Sequence, residues 1–190
     1  MEILYPIIFN SQSRFFMENN IIDESNINPF EDGITHINVY SKARTLLGQK
    51  LSNFAHSPFN HPKYGKFESV EGFWYWILTG KVHEELKELF EYEAKKKGQE
   101  FETKFEIDNG VQPKLNRDDI EDIHEAIRCK LRENKDILKM LIHSDLPLVH
   151  YYCWYGKEQS YKVDYFDDYY GTLKEIERIR KICQEKYFKD

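Results

Sequence analysis

The stretch GKFESVEGFWYWILTG, residues 65–80, combines a helix start signal, a single carboxylate and a dense aromatic block. Ser69 is a favoured N-cap residue, so the pattern predicts that Glu71 lies in the first turn of a helix. The rings of FWYW, residues 73–76, follow directly, and Gly65 and Gly80 mark the two ends. We therefore expect a short aromatic helix that carries one acidic side chain near its start.

Two interpretations of Glu71 follow from this placement. A carboxylate between aromatic rings is partly desolvated, which raises its pKa and suits it to act as an acid, a base or a charge stabiliser. Equally, an acidic residue in a first turn complements the helix dipole, and an aromatic run is usually core. The segment alone leaves both interpretations open.

The composition limits the class of protein. The 190 residues fit one domain, and we expect an N-terminal arm over residues 1–33 followed by a domain over residues 34–190. Hydrophobic residues make up 41% and aromatic residues 15%, enough for a sizeable core. The net charge of −6 argues against a general nucleic-acid clamp, which needs an extended positive surface.

The cysteines and the apolar runs indicate where the protein works. Cys129, Cys153 and Cys183 are odd in number and widely separated, which is typical of a reducing compartment. The first ten residues lack the basic start and apolar core of a signal peptide, and the apolar runs are too short to span a bilayer. We expect a cytoplasmic protein with no membrane partner.

Hydrophobic spacing predicts several further elements. They are a strand over residues 34–40, a helix over 82–97 ended by Gly98, a strand over 101–107, helices over 118–132 and 137–142 separated by Asn134, and a last helix opened by a capping box of Thr172 and Glu175. Among the seven histidines there is no HxxxH or HExxH spacing, and the chain has no GxGxxG, Walker or GxSxG motif. We therefore expect neither a metal nor a cofactor.

Four segments, taken together, resemble one known family. INVYSKARTLLG (37–48), LSNFAHSPF (51–59), SVEGFWYW (69–76) and LPLVHYYCWYG (146–156) are similar in order and spacing to the NADAR superfamily, also called YbiA-like, in its phage and bacterial variants. The resemblance covers roughly residues 34–185. It implies a mainly helical α+β single domain with a few short strands.

The resemblance also implies an activity. It implies an N-glycosidase that cleaves a ribose–base bond, with ADP-ribosylated guanine in nucleic acid or in a nucleotide as the expected substrate. Three alternatives stay open: cleavage of a free metabolite such as NAD, an ADP-ribose derivative or a riboflavin-pathway N-riboside; non-catalytic binding of ADP-ribose; and a structural or inhibitory role with residues 161–171 as the contact surface.

The family pattern assigns roles to particular residues of this chain. Glu71 matches the active-site glutamate, and Lys42 resembles a lysine that acts as a nucleophile in the ADP-ribose-releasing branch. Many members carry a lysine seven residues after the glutamate; here Leu78 occupies that position, and the nearest lysine is Lys81. The pattern also implies substrate binding by Ser52, Asn53 and Phe54 in the SNF loop and by Trp154 and Gly156, near the Trp-Gly pair of the family. From their own chemistry we add two substrate-binding residues, Trp74 as a stacking ring and Arg44 as a cation close to Lys42 in sequence.

Overall fold

Six α-helices and three two-stranded sheets make up the described residues, 27–155 and 161–187, of this computed structural model. The helices are α1 (Leu46–Leu51), α2 (Val70–Leu78), α3 (Glu91–Asn109), α4 (Arg117–Glu133), α5 (Lys135–Ile142) and α6 (Thr172–Tyr187). The strands are β1 (Ile37–Asn38), β2 (Phe59–His61), β3 (Gly65–Phe67), β4 (Leu148–Val149), β5 (Tyr151–Tyr155) and β6 (Tyr161–Tyr165). The predicted mainly helical α+β fold is confirmed.

The pairing of the strands sets the geometry of one face of the molecule. β1 and β4 are parallel, with Ile37 opposite Leu148, and β5 and β6 form an antiparallel pair that begins with Tyr151 opposite Tyr165. β2 and β3 form a separate hairpin. β1 pairs with β4, and β5 begins two residues after β4 ends. The turn that follows β1 therefore lies beside the β5–β6 pair. The predicted strand over residues 34–40 is reduced to the two residues of β1.

A buried carboxylate fixes that turn. Asp32 accepts hydrogen bonds from the backbone N–H groups of Asn38 at 3.0 Å and Arg44 at 2.7 Å. The side chain of Asn38 in turn bonds both backbone groups of Tyr151, at 3.1 Å each. These contacts hold residues 39–43 in one position. Of the predicted arm, residues 1–26 lie outside the described residues, so the proposed domain boundary stays a prediction.

The hydrophobic core is built around α2. Phe73 and Trp76 of this helix are buried, and the Phe73 ring lies edge-on to Phe67 with centroids 4.8 Å apart. The buried face of α4, including Ile123 and Ile127, belongs to the same cluster. No helix within the described residues has both the length and the apolar character that crossing a membrane requires.

Local signals predicted three helices well. Ser69 caps α2, its hydroxyl accepting the N–H of Gly72 at 3.0 Å, so Glu71 does lie in the first turn. Helices α4 and α5 occupy the predicted stretches, and Asn134 separates them as both C-cap and N-cap.

The region from residue 82 to 110 differs from prediction. A short 3-10 helix over Glu84–Glu88 precedes α3, which runs through Gly98 and through the predicted strand over 101–107. Gly98 does not end a helix. It allows α3 to approach α2 so closely that a Cβ at this position would lie 2.0 Å from Cγ of Tyr75.

The cap of the last helix also differs from prediction. The Asp168 carboxylate, rather than Thr172, accepts the N–H groups of Leu173 and Lys174, at 3.0 and 2.9 Å. Glu175 forms ion pairs with Arg128 and Arg178 instead of reaching back to the helix start. The predicted capping box is therefore wrong, although the helix it was meant to open is present.

Candidate active site

A cavity of about 580 Å³ opens where α2, α3, the end of α1 and the start of α6 meet the β5–β6 pair. Its wall is formed by Val39, Tyr40, Ser41, Lys42, Leu51, Ser52, Asn53, Phe54, Glu71, Tyr92, Lys95, His150, Tyr152, Trp154, Phe166, Asp167, Asp168, Thr172, Leu173 and Ile176. Six predicted site residues are among them: Lys42, Ser52, Asn53, Phe54, Glu71 and Trp154. Segments far apart in sequence thus converge on one concave surface.

Glu71 provides the cavity with a half-buried carboxyl group. Its backbone N–H donates to the carbonyl of Asn53 at 2.9 Å, which joins the start of α2 to the SNF loop. Within the described part of the chain, its carboxyl has neither a hydrogen-bond donor nor an ion-pair partner. Burial raises the pKa of Glu71 to about 7, and the positive charge of Lys95 partly opposes that rise.

The SNF loop, residues 52–54, is held at several points. Ser52 ends α1, and its hydroxyl accepts the N–H of Phe54 at 3.2 Å. The carbonyl of Phe54 accepts the N–H of Glu91 at 3.0 Å, at the start of α3. The loop is therefore anchored to both helices that contribute charged groups to the cavity.

Lys42 and Arg44 occupy different surroundings. Both lie in the turn between β1 and α1 rather than in a strand, and both are exposed. Lys42 lines the cavity, whereas the guanidinium carbon of Arg44 lies over the ring of Phe30, 5.8 Å from its centroid. Arg44 is not part of the cavity wall, so the expected substrate contact of Arg44 is not supported by the structure.

Lys95 is the cation that sequence reasoning missed. The predicted helix end at Gly98 placed Lys95 in the last turn of a helix, but α3 continues past it. Lys95 is half-buried and lines the cavity, Lys96 is exposed, and Lys97 pairs with Glu100 at 3.1 Å. Tyr92 precedes Lys95 by three residues and lines the same cavity, so both lie on the face of α3 that meets it.

An aromatic wall forms the side of the cavity nearest the β5–β6 pair. Tyr152 lies 4.9 Å from Tyr40 and 4.5 Å from Phe166, measured between ring centroids, and His150 packs against all three rings. Burial lowers the pKa of His150, and its Nδ1–H donates to the carbonyl of Val39 at 2.7 Å. In this neutral form Nε2 is left as an acceptor.

Trp154 joins this wall from β5, while Gly156 lies outside the described residues. The indole of Trp154 is 60% exposed, and its N–H donates to Asp164 on the paired strand at 2.9 Å. An exposed indole held by a neighbouring strand is available for stacking.

Two other predicted positions lie away from the cavity. Trp74 packs edge-on against Tyr170, with centroids 5.0 Å apart, and is not among the residues that line this cavity, so the structure does not support its expected stacking role. Lys81 forms an ion pair with Asp119 at 2.9 Å instead of replacing the lysine missing at position 78. Trp74 was misplaced because alternating positions of an aromatic helix point in different directions, and only the fold shows which one faces a cavity.

Comparison with protein-family models, curated proteins and solved structures gives no match to this chain. The resemblance to the NADAR superfamily therefore stays a prediction. Among the described residues, no group of three or more His, Cys, Asp or Glu side chains is placed to hold a metal ion.

Proposed function

We propose that this protein is an N-glycosidase that cleaves a ribose–base bond and removes ADP-ribose from ADP-ribosylated guanine, in nucleic acid or in a nucleotide. The observation that carries the proposal is the carboxyl of Glu71, which has no partner in residues 27–155 and 161–187 and a pKa raised to about 7, inside a cavity that Asn53 and several rings also line. Such perturbed carboxyls in clefts are typical of catalytic sites.

The reaction needs a group that stabilises positive charge. Breaking a bond between ribose and nitrogen builds an oxocarbenium-like charge at the anomeric carbon. The ionised Glu71 carboxylate stabilises that charge, and it does so more effectively because burial limits screening by water. The amide of Asn53, on the adjacent loop, is placed to bond the ribose hydroxyls.

The aromatic wall fits the base. Tyr40, Tyr152 and Phe166 present ring surface to the cavity, with Phe54 on the SNF loop and Trp154 at its rim. A flat heteroaromatic base stacks on such rings whatever its sequence context. The neutral His150 adds a hydrogen-bond acceptor for a base N–H group or a ribose hydroxyl.

The cations fit the phosphates of the substrate. Lys42 and Lys95 line the cavity, and neither has an ion-pair partner among the described residues. The wall also carries the acids Glu71, Asp167 and Asp168, of which Asp168 is engaged at the start of α6. Lys42 and Lys95, without ion-pair partners in the described part of the chain, are therefore our candidates for binding an anionic group. A diphosphate supplies that charge.

Lys42 is our candidate nucleophile. Its neutral amine attacks the anomeric carbon, the carbon–nitrogen bond breaks, and the proton lost by the amine leaves with the base. The ribose ring then opens to a Schiff base, and water hydrolyses it, releasing the sugar aldehyde and restoring the amine. Because Lys42 is exposed in the empty cavity, the bound substrate must cover it and exclude water before it attacks.

A substrate panel read by mass spectrometry tests the proposal. It contains an oligonucleotide with ADP-ribosylated guanine, the matching mononucleotide, NAD, free ADP-ribose derivatives and a riboflavin-pathway N-riboside. We expect release of ADP-ribose from the guanine substrates by the wild type and a loss of at least 100-fold in kcat for Glu71→Gln. Glu68→Gln is the matched control because Glu68 pairs with His56 and Lys66 outside the cavity.

The panel separates the proposal from its alternatives. Cleavage of free metabolites alone would overturn the assigned substrate. Tight binding of ADP-ribose by both wild type and Glu71→Gln, with no base released from any compound, would identify a binding module instead. Absence of any nucleotide affinity would overturn the proposal entirely and favour a partner protein.

A further inference from the structure

Lys130, in the last turn of α4, is a buried lysine with no carboxylate partner among the described residues. Its side chain is 2% exposed. Buried lysines are rare unless they are paired with an acid. Here the ammonium donates to two backbone carbonyls, those of Leu51 at 3.2 Å and Ser52 at 2.8 Å, and no ion pair of Lys130 occurs in the described ranges.

Those two carbonyls end helix α1 beside the cavity. Leu51 is the last residue of α1 and Ser52 is its C-cap. The last carbonyls of a helix lack intrahelical donors and carry the negative end of the helix dipole. A cation placed there supplies the missing donors and also interacts favourably with the dipole. The buried ammonium therefore fixes the end of α1 from inside the protein.

The fixed segment leads directly to the candidate catalytic group. Asn53 follows Ser52, and its carbonyl accepts the backbone N–H of Glu71 at 2.9 Å. Leu51, Ser52 and Asn53 all line the cavity. Two hydrogen bonds, joined by the backbone between Ser52 and Asn53, thus connect Lys130 to the first turn of α2.

This arrangement is costly for folding. Burial, reinforced by the positive charge of Lys50, lowers the pKa of Lys130 to about 7. An apolar side chain of similar length would avoid the desolvation penalty, as apolar replacements of buried charged groups often do. A group that costs stability and lies next to a cavity is best explained by a task at that cavity.

We infer that Lys130 is a positioning residue, which holds the SNF loop so that Asn53 and Glu71 meet the substrate together. The inference rests on the proposed function, because it concerns the same site. Lys130 does not line the cavity and touches no substrate, so it acts on the reaction only through the carbonyls of Leu51 and Ser52.

Lys130→Met tests this inference against Lys139→Met, an exposed lysine of α5. We expect kcat to fall at least tenfold in Lys130→Met with KM changed less than threefold, because the groups that bind substrate remain. The melting temperature of Lys130→Met at pH 7 is measured beside it to show that the variant is folded, because removing the desolvation penalty and removing the donor of two buried carbonyls have opposite effects on stability. If kcat stays at the wild-type value while Glu71→Gln is inactive, the proposed function stands and the inference about Lys130 is wrong.

A second measurement does not depend on turnover. Hydrogen exchange by NMR reports the bond between the Glu71 amide and the Asn53 carbonyl directly. We expect the Glu71 amide to exchange at least tenfold faster in Lys130→Met than in Lys139→Met. Equal rates would overturn the inference even if no substrate is found. If Lys130→Met does not fold, Lys130→Gln, which keeps a polar donor, is measured in the same way with the same criteria.

Discussion

At the scale of single residues, Glu71 combines a strong local anchor with an unsatisfied side chain. The Ser69 cap and the bond to Asn53 fix its backbone, while no donor within the described residues reaches its carboxyl. Local rules place it correctly, since the cap and the first turn depend only on neighbours in sequence. The lack of a donor to the Glu71 carboxyl in the described residues depends instead on which segments the fold packs around it. A buried carboxylate without a donor is costly to ionise, so it should affect the free energy of unfolding.

We predict that Glu71→Gln stabilises the protein at alkaline pH. The folded state holds the pKa at about 7, whereas an unfolded glutamate titrates near its ordinary value of about 4.3. The unfolded chain therefore loses its proton first, and wild-type stability falls as pH rises from about 4.5 through 7. We expect a gain of about 1–3 kcal/mol at pH 8, measured by urea unfolding, because each pKa unit is worth about 1.4 kcal/mol.

The same difference should disappear at pH 4, where both states of the wild type are protonated. Glu68→Gln is the control, because the pKa of Glu68 is shifted in the opposite direction. Hydrogen bonds to Lys66 and His56 lower that pKa. We expect Glu68→Gln to gain nothing at pH 8. A Glu71→Gln variant that is no more stable than the wild type at pH 8 would show that this carboxyl is well solvated.

For Lys42, we predict a trapped intermediate. A Schiff base with the opened ribose is reduced by borohydride to a stable amine, so treatment during turnover should leave one sugar adduct on the peptide containing Lys42. Peptide mass spectrometry locates the adduct. Lys96→Ala, an exposed lysine of α3, is the control and should be labelled as wild type is. Full turnover by Lys42→Ala would end the nucleophile assignment and leave Lys42 with a binding role at most.

At the scale of elements, the sequence was informative where neighbours in the chain decide the structure. The helices α4 and α5 follow from spacing and from Asn134, which ends one and starts the next. Helix α3 was missed because Gly98 has the ordinary appearance of a helix end, whereas its role is to admit the ring of Tyr75 from another helix. Lys95 was missed for the same reason, since its surroundings depend on where α3 packs.

The contact between α2 and α3 gives a prediction for Gly98→Ala. Alanine favours a helix over glycine by about 1 kcal/mol, so an unpacked position would gain stability. Here the new methyl would overlap the Tyr75 ring, and we expect a net loss of about 1–3 kcal/mol from overpacking, read from urea midpoints. Gln99→Ala, the exposed neighbour, is the control and should be close to neutral. A gain of stability in Gly98→Ala would mean that the helices separate readily.

At the scale of the whole molecule, charge is distributed unevenly around the cavity. The chain has a net charge of −6, and the cavity wall carries the acids Glu71, Asp167 and Asp168 together with Lys42 and Lys95, which have no ion-pair partner in the described residues. A small anionic ligand is attracted by those lysines, whereas a long polyanion also meets the acidic surface beyond them. From the composition alone we predicted that the protein has no extended positive surface. The composition could not predict that Lys42 and Lys95 line the same cavity, because the fold brings them together.

If the protein has the proposed activity, we predict that its turnover depends on the modified nucleotide and not on the length of the strand that carries it. Because each phosphate contact adds about 0.9 to the slope of log K against log salt, a diphosphate held by two lysines should give a slope below about 3. Lengthening an ADP-ribosylated oligonucleotide from 3 to about 20 nucleotides should change kcat/KM less than about threefold, since few contacts are added. Lys95→Ala should reduce the slope, and Lys96→Ala should leave it unchanged. A steep slope that grows with strand length would instead require an extended nucleic-acid surface on this acidic protein.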